Sequence, residues 1–196
     1  MNFSAEDSSN KASVDILFSF WKEHSLQLFQ SHSKLDHLSI EQYEPKTPIH
    51  GHWLSFNCLV VECFRIYIKI YYFSKDGAFF SSKAFQKKPA EISSAQHSDF
   101  TKEFCNLFSG RLKYFFEKNN IGNNCSISLP VTIRSFDNLY FTKNSINLSY
   151  DCFWKIKKDE FYLISNISLD ITDPNKFRKF EFEYDNVLTE SKLEIL

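Results

Sequence analysis

The run from Trp53 to Phe73, WLSFNCLVVECFRIYIKIYYF, constrains the fold more than any other part of the chain. It is dense in Val, Ile, Phe and Tyr, the residues that fit a pleated, half-buried surface. In its second half Arg65, Tyr67 and Lys69 alternate with Ile66, Ile68 and Ile70, the period of a strand with one wet face. Two strands, Trp53–Cys63 and Phe64–Phe73, are therefore expected to pair antiparallel through a turn near Glu62–Phe64 that contains no glycine. Three more strands are read downstream: CSISLPVTIR (Cys125–Arg134), SINLSYDCFWKIK (Ser145–Lys157) and EFYLISNISLDI (Glu160–Ile171). A turn at Lys158–Asp159 joins the last two.

Helical spacing accounts for much of the rest. Val14, Leu17, Phe18, Trp21 and Leu28 mark a helix from Ser13, its candidate N-cap, to about Gln30. The segment SHSKLDHLSIEQYEPKTPIHGH then runs extended, broken by Pro45 and Pro48. A short helix is read over Asp76–Gln86, then a polar linker, KKPAEISSAQH. A long helix follows from Ser98 or Asp99 to about Glu117, with Gly122 and Asn123–Asn124 turning the chain after it. Residues 1–12 are polar and expected to be disordered, 13–173 form one domain, and 174–196 are a charged C-terminal extension. Helices that precede and interrupt a run of antiparallel strands give an α+β class, with the helices packed on one sheet face.

Composition narrows the function. The chain carries 22 Phe and 9 Tyr against 4 Gly and 1 Met, so aromatic rings fill the interior. A net charge of −1 with interspersed signs argues against a nucleic-acid groove, which needs clustered Lys and Arg. Cys58, Cys63, Cys105, Cys125 and Cys152 form no Cys-x-x-Cys pair and read as reduced thiols of a cytoplasmic protein. No basic and apolar leader opens the sequence, and no apolar run reaches the ~18 residues of a membrane span. The sequons at Asn147 and Asn166 read as chance. His50-Gly51-His52 lacks supporting carboxylate or Cys ligands and reads as loop.

The long helix, SDFTKEFCNLFSGRLKYFFE, poses the functional question. At 100° per residue Phe100, Phe104, Leu107, Phe108 and Phe115 fall within roughly a 100° arc, a core stripe. Asp99, Glu103, Asn106, Gly110 and Lys113 gather on the other side, with Glu103 and Asn106 as i,i+3 neighbours. Gly110 lowers helix propensity there by about 1 kcal/mol relative to Ala. Either it accommodates packing at a helix crossing or it admits another molecule's backbone.

This face, followed after a turn by the Pro130 strand ISLPVTI, resembles the signature of the CheX/CheC-type chemotaxis phosphatases. The resemblance is sharpest over Asp99–Ile133. It implies a CheX-like α+β domain whose substrate is the aspartyl phosphate of a CheY-type receiver domain in chemotaxis or two-component signalling. Glu103 and Asn106 would be the catalytic pair, and Asp99, Gly110 and Lys113 would help hold the partner. The resemblance also brings the expectation of a homodimer. No cofactor of the chain's own is implied, because the receiver supplies Mg2+. In this reading Asn106 holds water in line with phosphorus without adding charge, and Glu103 pairs with a receiver lysine. Two other functions stay open: a catalytically inactive relative that dimerises or binds response regulators, and a small-ligand sensor module.

Overall fold

The computed structural model describes residues 5–46, 51–121, 124–135, 149–177 and 179–180. Among the described residues, seven antiparallel strands form the sheet and four helices pack on it. The strands are β1 (Ser39–Gln42), β2 (Trp53–Val61), β3 (Phe64–Tyr72), β4 (Ser126–Ile127), β5 (Val131–Arg134), β6 (Ser149–Lys158) and β7 (Phe161–Ile171). Their spatial order is β1-β6-β7-β3-β2-β4, and β5 also pairs with β2. The helices are α1 (Ala5–Ser33), α2 (Ser74–Ser82), α3 (Ser94–Lys118) and the short α4 (Pro174–Phe177).

The hairpin expected from alternation is β2–β3, with Val61 opposite Phe64 and Trp53 opposite Tyr72. Its turn, Glu62–Cys63, uses no positive φ, which is why it needs no glycine. The β6–β7 turn sits one residue beyond the expected place: Lys158 pairs with Phe161, and Asp159 adopts φ 53. Ile66, Ile68 and Ile70 point under the helices and are fully buried. The second sheet face has its own smaller cluster, in which Leu54, Tyr71 and Ile164 are packed by Phe56, Ile133, Phe153 and Tyr162.

Several boundaries differ from the sequence reading. The single strand expected over Cys125–Arg134 is two short ones, β4 and β5, on either side of Pro130, because proline removes a ladder donor. β1, in the segment read only as extended, pairs with β6 from Ser39↔Lys157 to Gln42↔Trp154. α1 begins at Ala5 rather than at a Ser13 cap, taking in most of the stretch expected to be disordered. α2 stops at Ser82, short of Gln86, where φ turns to 54. Pro48, His50, Gly122, Asn123 and residues 145–148 lie outside the described residues, as does most of the C-terminal extension.

Aromatic rings join helix to helix and account for the phenylalanine content. Trp21 of α1 meets Phe108 of α3 with centroids 3.9 Å apart, and Phe20 meets Phe115 at 4.4 Å. Phe29 contacts Phe104 and, across to α2, Phe80. Asn166 is fully buried, with its amide donating to the Cys152 carbonyl at 3.0 Å, so that sequon is inaccessible.

Candidate functional site

The frame of the site is α3, and its start is fixed by a cap. Ser93 caps it: the Ser93 Oγ accepts from the Gln96 N–H at 3.2 Å, and the Gln96 side chain accepts from the Ser93 N–H at 3.0 Å. This capping box lies inside the stretch read as a polar linker, so the helix begins at Ser94, about a turn before the expected Ser98. Its far end closes at Asn120, with φ 56, where the Ile121 N–H reaches back to the Phe116 carbonyl at 2.8 Å.

Along this helix Asp99, Glu103, Asn106 and Gly110 are exposed and Lys113 is half-buried, so the polar arc does face outward. The five differ in what they are free to do. Asp99 is held by Lys102 at 2.8 Å, and Lys113 lies 3.9 Å from Glu117, both pairs within the helix. The side chains of Glu103 and Asn106 make no hydrogen bond or ion pair with any described residue. Beneath Glu103, His32 donates from Nε2 to the Phe100 carbonyl at 2.9 Å. Burial lowers the His32 pKa below its ordinary 6.5, although the Phe100 carbonyl and the Glu103 charge pull it back up. A neutral His32 offers the Glu103 carboxylate no compensating charge.

Gly110 resolves one of the two readings left open. A Cβ built there meets nothing within 4 Å, and its φ is not positive. Neither close packing nor backbone conformation within the chain requires glycine. Gly51 is the contrast, since a Cβ there would lie 2.6 Å from the Tyr72 nitrogen. The packing explanation for Gly110 therefore fails.

Leu107 also departs from expectation. Placed in the core stripe by its spacing, it is 38 % exposed, and Tyr114 is 41 % exposed. They stand three residues before and four after Gly110, making an apolar border to the polar face. The buried arc of α3 is turned away from Leu107 because it extends over Thr101, Cys105 and Ser109, all fully buried against β2. An apolar count registers only Cys105 of that row.

No metal-ligand cluster takes over the site. Among the described residues no three His, Cys, Asp or Glu side chains gather as a metal site. His52 instead packs edge-on to Phe73 at 4.7 Å. Nor is any helix of the described residues long and apolar enough to cross a membrane.

Comparison with known proteins supports the architecture. A CheC-like superfamily protein from Shewanella sp. PV-4 superposes with a TM-score of 0.59 at 13% identity, covering 80% of this chain and 97% of that one. This chain has the CheC/CheX fold. The CheX–CheY–BeF3–Mg2+ complex of Borrelia burgdorferi contains another similar chain, with TM-score 0.56 and 12% identity over 76% of this chain and 93% of that one. The FliG–FliM complex of H. pylori contains a third, with TM-score 0.57 and 12% identity over 90% of this chain and 99% of its own. No family model and no curated protein sequence matches the chain.

Proposed function

We propose that this CheX-like domain is a protein phosphatase that hydrolyses the aspartyl phosphate of a CheY-type receiver domain. The observation that carries the reading is the pair Glu103 and Asn106. Their side chains lie one turn apart on the exposed face of α3, unengaged by any described residue, beside a glycine where a Cβ would meet nothing within 4 Å. The solved CheX–CheY complex shows that a protein of this fold binds such a partner. Little covalent chemistry is asked of the phosphatase. Water attacks phosphorus, the P–O bond to the aspartyl group breaks, and inorganic phosphate leaves with the carboxylate restored to the receiver. Mg2+ held by the receiver neutralises the phosphoryl oxygens. Asn106 places the water, accepting from it through Oδ1 while adding no negative charge beside the phosphate. Glu103, which forms no ion pair with a described residue, pairs with a lysine of the receiver and sets the register between the proteins.

A second reading has its own support. The chain in the FliG–FliM complex covers more of this molecule than the chemotaxis proteins do, and Leu107 and Tyr114 suit a standing contact. On that reading the domain binds a signalling partner without turning it over. Substoichiometric protein added to phosphorylated receiver separates the two. The phosphatase clears many equivalents of acyl phosphate, whereas a binding module clears none and at most protects its own equivalent.

A further inference from the structure

We propose that Asn57 and Ser55 of β2, with the row Thr101, Cys105 and Ser109 of α3, are positioning residues that fix the rotation of α3 about its axis and so aim Glu103 and Asn106. The inference rests on the reading of those two residues as the site. Besides this row the buried face of α3 is His97 with Phe100, Phe104, Phe108, Leu112, Phe115 and Phe116, and apolar burial is non-directional. It holds a helix against a sheet without choosing its rotation sharply. Hydrogen bonds do choose, because they fail within a few tenths of an ångström.

The polar row is fully satisfied and fully buried. The Ser109 hydroxyl donates to Asn57 Oδ1 at 2.9 Å, and Asn57 Nδ2 donates to the Cys105 carbonyl at 3.2 Å, so one amide grips two consecutive turns. Ser55 Oγ lies 2.7 Å from Thr101 Oγ1 and 2.6 Å from Thr132 Oγ1, tying α3 to β2 and β5 together. The Cys105 thiol donates to the Ser55 carbonyl at 3.6 Å. Burial pushes that thiol well above its ordinary pKa, keeping it a neutral donor. Ser55, Asn57, Thr101, Cys105 and Ser109 are all 0 % exposed, so rotation would leave polar groups unpaired with no water to replace the partner. A turn of about 10° carries a group about 6 Å from the helix axis through about 1 Å. Misplacement of that size can slow a positioned reaction by about 10²-fold.

The test replaces the row by apolar residues of similar shape, Asn57→Leu with Thr101→Val and Ser109→Ala. Crystal structures of wild type and variant, superposed on β2, β3 and β7, report the rotation of α3. Turnover of a phosphorylated receiver reports kcat and KM. The expected result is an α3 that has turned or taken up more than one rotation, with kcat reduced at least about tenfold and KM within about twofold. An unchanged rotation overturns the inference whatever the activity, and so does a turned helix with unchanged kcat. A turned helix in a protein whose wild type releases no phosphate supports the positioning role and rejects the phosphatase reading instead. Should the triple variant fail to fold, Ser109→Ala alone is expected to show the same shift in smaller measure, and its absence there has the same force.

Discussion

At the residue scale, Gly110 separates function from stability most sharply. Helical glycine costs about 1 kcal/mol relative to alanine, and a Cβ at this position meets open space. Gly110→Ala is therefore expected to raise the urea midpoint, by up to about 1 kcal/mol of stability, while weakening capture of a phosphorylated receiver. A variant both stabler and equally good at binding would remove Gly110 from the docking surface. Glu103→Ala belongs with it. Its loss should fall mainly on KM, and raised salt should reproduce part of that loss in wild type, because a charge pair across an interface is screened. Salt-independent turnover would contradict a Glu103–lysine contact.

At the element scale, α3 shows what a sequence reveals and what it hides. Alternation exposes β3 because Arg65, Tyr67 and Lys69 take the less buried face opposite Ile66, Ile68 and Ile70. The outward placement of Glu103 and Asn106 follows from helical period alone. The start of α3 escapes because Ser93–Gln96 reads as linker unless the capping box is sought, and Ser93→Ala is expected to lower stability by about 1 kcal/mol in denaturant titration. A change below a few tenths would show that the cap contributes little. Leu107 misleads for a different reason. It borders both arcs, and the tie is decided by Thr101, Cys105 and Ser109, whose small side chains carry little apolar signal yet seat the helix. Pro130 is visible in the sequence, but whether it ends a strand or splits it depends on β2, which pairs with residues on both sides.

At the scale of the whole molecule, buried histidines give the fold an acid-sensitive side. His24, His32 and His97 are each held below the ordinary value of 6.5, in every case chiefly by burial. The unfolded chain therefore takes up protons before the folded one. The stability these neutral rings contribute is full above about pH 6.5 and is lost as pH falls below it. Asp76, raised from 3.8 by burial, acts with the opposite sign, its strain easing as acid protonates it. With three groups against one, the urea midpoint is expected to fall between pH 7.5 and pH 5.5, and a rise over that interval would contradict the placement of the histidines. Self-association, where it occurs, should use the sheet edges β1 and β4/β5 or the second sheet face, leaving α3 open to a protein substrate. A stable dimer centred on Asn106 would instead favour the non-catalytic reading.

The central claim is that Asn106 places the attacking water, and a phosphate-release time course on phosphorylated CheY-type receiver tests it most directly. Wild type should accelerate release at substoichiometric concentration. Asn106→Ala should lose activity on the order of 10²-fold while its stability stays within about 0.5 kcal/mol, because the site is exposed. Asn106→Asp should be as poor as alanine, since it sets a negative charge beside the phosphoryl group. Equal rates for wild type and Asn106→Ala would contradict the account.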